Sequence, residues 1–205
     1  MSSIDIPPDP DPESEAGNLK IDRILLDIRG DSSYPIRKAR VTDVKGILSL
    51  INGFAASNLM LARGPQYLYE NIRDFMVAVD DSPETQTAED GPSESPGSPP
   101  ESSGLIIACA SLHVLWENVA EIRSTAIHPD YQHKGLGKKL VEQLKKEARE
   151  LDITMLFTWT LAEDFFAHLG FKRKGKEELP SKVWGECSRC PKYFNCDEVG
   201  MVLEI

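Results

Sequence analysis

One short segment restricts the fold of this 205-residue chain more than any other. Residues 121–140 (EIRSTAIHPDYQHKGLGKKL) begin with a β-rich run, turn at a proline and continue into an amphipathic helix opened by Gly135 and Gly137. Glycine lets the backbone approach a bulky anion, and the unpaired N–H groups of a helix N-terminus attract phosphate. Basic side chains stand in or beside the same turn: Lys134, Lys138 and Lys139. The segment therefore predicts a strand–turn–helix unit that binds a polyphosphate.

The glycine spacing distinguishes between kinds of polyphosphate site. The segment lacks the Gly-Lys-Ser/Thr of a nucleotide P-loop, and the dinucleotide fingerprint needs a third glycine where this chain has Leu140. The Q-x-x-G-x-G pattern of residues 132–137 instead resembles the acetyl-CoA pyrophosphate loop of GNAT N-acetyltransferases. Residues 165–171 (FFAHLGF) resemble the end of that family's last conserved motif. The alternative is that the glycine turn only caps a helix, but this would not explain why the two family motifs occur together and in the family's order.

The hydrophobic pattern predicts an α/β or α+β fold. Strand-like runs occupy residues 35–40, 75–79, 105–116, 120–128, 155–160, the stretch from 171, and 199–205. Helices are expected over residues 42–57, 65–72, 136–151 and 163–169, with Thr42 as the N-cap of the first. The family resemblance implies the GNAT fold, a mixed central sheet of about six to seven strands flanked by helices.

Two segments are expected to lie outside this fold. Residues 1–34 form an acidic, proline-rich tail, and residues 81–103 are almost wholly Pro, Ser, Glu, Asp, Gly and Thr; both compositions are typical of disorder. The GNAT domain is therefore expected over residues 35–205, with 81–103 as an insertion at a hairpin tip. The chain has 33 acidic and 23 basic residues. Residues 1–35 and 80–103 together contain 15 of the acidic residues and only three of the basic ones, so the net charge of −10 belongs to these two segments.

Charge and hydropathy argue against several functional classes. The remaining chain has no clustered basic excess, so nucleic-acid binding is not expected. No apolar run approaches the roughly 18 residues of a membrane span, and the first residues lack the features of a secretory signal. Four cysteines without an export signal favour a reducing compartment, so we expect a cytoplasmic protein. The oligomeric state stays open, with a homodimer as one option.

A closer resemblance is to the short, kinase-free N-acetylglutamate synthases. It rests on residues 68–75 (LYENIRDF), 112–116 (LHVLW), 121–123 (EIR) and 179–190 (LPSKVWGECSRC). It implies transfer of an acetyl group from acetyl-CoA to the α-amino group of L-glutamate, the first step of arginine biosynthesis. Two alternatives stay open: a GNAT enzyme for another small-molecule or protein amine, and a non-catalytic acyl-CoA-binding regulator.

The family resemblance also implies which residues hold acetyl-CoA. Backbone groups of the strand before the loop pair with the pantetheine arm, and one main-chain N–H from this strand stabilises the oxyanion. The loop and first helical turn hold the diphosphate. The expected contacts are Thr125, Ala126, Ile127, Gln132, His133, Lys134, Gly135, Leu136, Gly137 and Lys138, with Ser124 beside them.

Catalysis requires a base, because the amine is protonated at neutral pH. Glu121, acting through water, is the first candidate, and His113 on the preceding strand is the second, although either side chain could be purely structural. The family's leaving-group tyrosine corresponds here to Phe166, which cannot donate a proton. The thiolate leaves unassisted, or Tyr193 serves as the acid, or the alignment is shifted.

Substrate carboxylates require cations, and the planar fork of arginine matches a carboxylate. Arg123 shares a strand face with Glu121, and the further candidates are Arg63, Lys182 and Arg189, each of which could equally be a solvated surface charge. Cys187-x-x-Cys190 is the spacing of a zinc half-site, with Cys196 nearby. A suitable fourth ligand is lacking and reduced structural thiols are an alternative, so no metal is predicted.

Overall fold

The computed structural model describes residues 34–82, 104–179, 184–188, 190 and 192–205. The tail predicted over residues 1–34, except Tyr34, and the insertion predicted over 81–103, except Asp81 and Ser82, lie outside the described residues. Lys182 and Arg189 also lie outside them. The α-helices among the described residues are α1 Val44–Ala56, α2 Pro65–Asn71, α3 Leu136–Glu150, α4 Glu163–His168 and α5 Trp184–Cys187. None of these helices combines the length and the apolar character needed to cross a bilayer.

Seven strands form one mixed sheet, in the order β1-β2-β3-β4-β5-β7-β6. The strands are β1 Ile36–Lys38, β2 Phe75–Asp80, β3 Leu105–Trp116, β4 Val119–Ile127, β5 Met155–Thr160, β6 Lys172–Lys174 and β7 Val199–Glu204. Neighbouring strands are antiparallel except β4 and β5, which are parallel. The predicted mixed sheet of six to seven strands flanked by helices is thus confirmed.

Helices cover the sheet from both faces. The apolar side of the amphipathic helix α3 packs against strand residues such as Ile122 and Leu156, with five fully buried residues: Leu136, Leu140, Val141, Leu144 and Ala148. On the opposite face, α1 and α2 bury Ile47, Ile51 and Leu68 against the first strands of the sheet. The inner strands β2 and β3 are therefore buried on two faces over most of their length, which explains their nearly continuous apolar sequence, whereas the edge strand β6 is polar and exposed.

The start of α1 differs from the prediction. Thr42 is not an N-cap, because it lies inside the 3-10 turn Val41–Asp43 that precedes the helix. The buried Asp43 carboxylate organises this turn: it accepts the backbone N–H of Arg40 at 2.7 Å and two guanidinium N–H groups of Arg37 at 2.6 and 2.9 Å. An ionised carboxylate accepts more and stronger hydrogen bonds than a threonine hydroxyl, so it determines where the helix begins.

A hydrogen-bonded cluster connects the turn after β4 to the end of β2. The hydroxyl of Tyr131 donates to the Asp80 carboxylate at 2.6 Å, and the hydroxyl of Tyr34 donates to it at 3.4 Å. The Tyr131 bond lowers the pKa of Asp80, and the same bond raises the pKa of Tyr131 to about 12. Because Tyr131 directly precedes Gln132, this cluster positions the predicted phosphate loop.

The substitution Tyr131→Phe removes the bond to Asp80 and keeps the aromatic ring. We expect a loss of about 1.5–3 kcal/mol in the free energy of unfolding at pH 7, the range of a hydrogen bond to a charged group. The folded-state pKa of Asp80 lies below its unfolded value of about 4, so the stabilisation is present above that pH and is lost as the pH falls through the folded value. Urea unfolding of both proteins from about pH 7 to pH 2.5 measures this difference. A difference that persists unchanged at the acidic end would contradict the assignment.

The packing of α1 on β3 predicts opposite effects of the same substitution at two glycines. A Cβ at Gly46 would lie 2.5 Å from Cγ1 of Ile106, whereas a Cβ at the exposed Gly53 would meet no heavy atom within 4 Å. Gly46→Ala should destabilise the protein by about 1–3 kcal/mol through overpacking. Gly53→Ala should stabilise it by about 0.5–1 kcal/mol through helix propensity. Denaturant unfolding of the matched pair checks both signs, and equal effects would exclude tight packing at Gly46.

Candidate functional site

The sheet opens where the parallel pairing of β4 and β5 ends. The register runs from Val119 opposite Met155 to Glu121 opposite Phe157, although both strands continue beyond this point. A cavity of about 420 Å³ lies where they part. Both strand ends, the loop between α1 and α2 and the segment before β7 line it, with residues 59–61, 63, 121–125, 158–162, 166, 187, 190, 193, 194, 196 and 198.

A β-bulge interrupts β4 beside this cavity. Between Cys109 and Ser111 of β3, the facing stretch of β4 gains one residue, so the register shifts there. Ser124 adopts a φ of 51°, in the left-handed region that residues other than glycine rarely occupy. Ser124 and Thr125 both line the cavity. The bulge therefore leaves main-chain groups of β4 outside the regular ladder, next to the open space.

A buried ion pair lies at the point where the strands part. The Nε–H of Arg123 donates to Oε2 of Glu121 at 2.5 Å, and the two side chains are only 5% and 8% exposed. Both line the cavity, as expected for neighbours on one strand face. A guanidinium at this distance favours the ionised carboxylate, which is the form that can accept a proton. The pair thus joins the predicted base and the first predicted carboxylate-binding residue in one unit.

Two more predicted residues reach the same cavity from other segments. Arg63 lies in the loop between α1 and α2, where its guanidinium stacks 4.2 Å from the ring centre of Tyr67. The side chain of Asn52 holds the backbone of Arg63 through hydrogen bonds of 3.0 and 3.1 Å. Tyr193, at the start of the turn Tyr193–Asn195, lines the cavity and is 45% exposed.

His113, the second candidate base, does not lie at the cavity wall. Its Nδ1 atom lies 2.8 Å from the Asp74 carboxylate, and His113 is not among the described residues that line the cavity. The substrate-binding prediction for Lys182 and the weaker one for Arg189 concern residues outside the described part of the chain, so both stay predictions.

The predicted phosphate loop follows β4 directly. Gly135 has a φ of 80° and is the N-cap of α3, a conformation that favours glycine. The side-chain amide of Gln132 donates to the carbonyl of the last β4 residue at 3.2 Å. Gly137 also has a packing role: a Cβ there would lie 3.1 Å from the Phe165 ring, so this glycine permits packing of α3 on α4. Leu136 is also buried, so both residues can contribute only main-chain N–H groups.

Main-chain donors dominate the rest of this predicted site. The first intrahelical bond of α3 runs from the amide of Lys139 to the carbonyl of Gly135 at 3.0 Å, so the amides of residues 136–138 precede it and have no acceptor within the helix. Ala126 and Ile127 bury their side chains, which leaves only their backbone for a ligand. His133 has a φ of 61° in the turn and is exposed, as are Lys134 and Lys138. This end of α3 suits an anion.

Three thiols line the cavity, a position that the C-x-x-C spacing did not reveal. They belong to Cys187, Cys190 and Cys196. Burial raises the pKa of Cys187 to about 11, and the negative charge of Glu121 contributes in the same direction, so this thiol is protonated at neutral pH. Within the described ranges, no group of three or more His, Cys, Asp or Glu side chains is arranged to hold a metal ion.

Sequence reasoning also missed the lining contributed by the end of β5 and by the loop after α1. Thr158 and Thr160 are buried polar residues that line the cavity, and Leu59, Met60 and Leu61 form an apolar part of its wall. No sequence motif marks these residues. They reach the site only because β5 diverges from β4 and because the loop packs over the gap.

Comparison with known proteins identifies the family. The model of the acetyltransferase (GNAT) family matches residues 65–171. An uncharacterized N-acetyltransferase of Chlorobaculum tepidum is 32% identical over 167 residues, which cover 82% of this chain and 94% of that protein. An amino-acid acetyltransferase of Mycobacterium tuberculosis is 29% identical over 154 residues, which cover 75% of this chain and 77% of the relative.

Solved structures agree with this family. A crystal structure of a Mycobacterium tuberculosis protein in complex with CoA has a TM-score of 0.62 and 26% identity, covering 83% of this chain and 99% of that one. N-acetylglutamate synthase of Neisseria gonorrhoeae, complexed with coenzyme A and N-acetyl-glutamate, shares the fold with a TM-score of 0.66 and 22% identity. That match covers 85% of this chain and 35% of the synthase. This chain belongs to the GNAT acetyltransferase family.

Proposed function

We propose that this enzyme transfers the acetyl group of acetyl-CoA to the α-amino group of L-glutamate, in the cytoplasm, as the entry step to arginine biosynthesis. One observation carries the proposal: the cavity between β4 and β5 combines a carboxylate base, two guanidinium groups and a bulge of β4. These are the parts that acetyl transfer to an acidic amine requires. The similar amino-acid acetyltransferase of Mycobacterium tuberculosis and the synthase from Neisseria gonorrhoeae support the choice of an amino-acid acceptor.

Acetyl-CoA would bind across the end of β4 and the first turn of α3. The amides of residues 136–138 and the positive end of the helix dipole favour the diphosphate, with Lys134 and Lys138 supplying charge. The backbone at Thr125, Ala126 and Ile127 would pair with the pantetheine arm, which places the thioester at the bulge beside the cavity. The similarity to a structure solved with CoA supports this arrangement.

The chemical step follows from the groups around the gap. Glu121, held in its ionised form by Arg123, would take a proton from the substrate ammonium through a water molecule. The amine would then attack the thioester, and a main-chain N–H at the Ser124 bulge would stabilise the oxyanion. Phe166 is buried and carries no proton donor, so the Tyr193 hydroxyl in the same cavity is our candidate acid for the departing thiolate.

Two carboxylates of glutamate require two cations, and the described wall of the cavity offers Arg63 and Arg123. Lys182 would be a third cation. The apolar wall at Leu59, Met60 and Leu61 favours a second candidate function, acetylation of an amine with an apolar side chain.

An assay of thiol release from acetyl-CoA over a panel of amines tests the proposal. We expect release with L-glutamate and little with other amino acids, polyamines or peptides. D-Glutamate is the matched control, because it has the same charges and the opposite arrangement of the amine. Preference for an apolar amino acid or a peptide amine would establish the second candidate instead. CoA binding in a calorimeter without turnover on any amine would indicate a regulator.

The substitution Arg123→Ala should separate acceptor binding from cofactor binding. We expect KM for glutamate to rise by about 10–100-fold, as for the loss of a charge-assisted hydrogen bond, while Kd for CoA changes little. Because Arg123 also holds Glu121, kcat should fall. Arg173→Ala is the control, since that exposed arginine pairs with Glu163 at 2.9 Å and does not line the cavity. An equal loss of glutamate and CoA affinity would mean that Arg123 maintains the fold instead.

A further inference from the structure

We propose that Asp74 and His113 form a relay that carries the substrate proton from Glu121 to solvent. The inference rests on the proposed function, since it concerns the fate of the proton that the acetylated amine loses. In this scheme Glu121 remains the base that faces the substrate. His113 and Asp74 are positioning residues that return Glu121 to its ionised form before the next turnover.

The sheet register brings His113 next to Glu121. The two residues are Cα partners in the antiparallel pair β3–β4. Residues that face each other across such a pair project their side chains from the same face, with Cβ atoms about 4.5–5.5 Å apart. His113 is therefore the cross-strand neighbour of the proposed base, and one water molecule between the two side chains would complete the path.

Asp74 determines which nitrogen of the His113 imidazole carries the proton. Its carboxylate lies 2.8 Å from Nδ1 of His113, so the ionised acid selects the tautomer in which Nδ1–H donates. That tautomer leaves Nε2 as the atom that accepts a proton.

Burial explains why a relay is useful at this position. The side chain of Glu121 is 8% exposed, whereas those of His113 and Asp74 are each 30% exposed. A proton bound to the buried carboxylate has restricted access to bulk water. The imidazole lies outside the cavity lining and is open to solvent, so it offers an exit that does not cross the substrate.

Charges from several elements act on this imidazole. Asp74 comes from the turn before β2, and the ion pair of Glu121 and Arg123 comes from β4. The proton balance is simple: one proton moves from the substrate ammonium to Glu121, then to Nε2 of His113, then to water. Both side chains return to their initial states, and no other co-reactant is needed.

The test compares His113→Gln with wild type on whichever amine the wild-type enzyme acetylates. We expect kcat to fall by at least about tenfold, within the range of assisted proton transfer, while KM for the amine and Kd for CoA stay within about twofold. Added imidazole should restore part of kcat, and the kcat–pH profile should differ from that of wild type. Asp74→Asn should show a smaller loss of kcat. The matched control is His168→Gln, which alters an exposed histidine on α4 and should keep the wild-type rate and profile.

A double-variant comparison separates the relay from a structural role. In a Glu121→Gln background, His113→Gln should cause little further loss, because groups that act in one proton path are not additive. An additive loss, or a kcat loss without rescue by imidazole, would overturn the relay. Wild-type kcat and pH profile in His113→Gln would overturn it as well. Inactivity of the wild-type enzyme on glutamate would instead contradict the proposed substrate, and the relay would then be tested on the amine that is acetylated.

Discussion

The divergence of β4 from β5 is the constraint on which the rest of the molecule depends. Parallel strands require a crossover, and here the crossover is α3, so the N-terminus of this helix lies at the end of the sheet where the two strands part. A gap for an acyl acceptor and a helix terminus for an anion therefore arise from one connection. The bulge at Ser124 lies in β4, the strand that borders both the gap and the helix terminus.

The ion pair of Glu121 and Arg123 gives this gap its chemical character. Burial of two charges is expensive, and the loss of either partner would leave the other uncompensated. The pair is tolerated because its members are hydrogen-bonded to each other and border an open cavity. The two buried charges thus lie where the sheet is already open, and the packed regions on either side contain no part of this ion pair.

Much of the architecture is local enough to be predicted. The bounds of β3 and β5 agree with the predicted runs, and the apolar stripe of α3 and the glycine start of that helix follow from their own sequence. The start of α1 could not be predicted, because Asp43 obtains its role from Arg37 on a neighbouring strand. The packing role of Gly137 was not predicted for a similar reason: the ring that it accommodates, Phe165, lies 28 residues further along the chain.

The sequence by itself determined the family, the approximate positions of most strands and helices and the glycine loop, because these depend on spacing within single elements. Only the tertiary structure decided how those residues meet. It paired Glu121 with Arg123, directed His113 to Asp74, and brought the thiols of the segment before β7 to the cavity wall. Such contacts join segments that are distant in sequence or fix side-chain directions that a periodic pattern leaves open. They are settled by strand order, register and the parting of two strands, none of which a local pattern encodes.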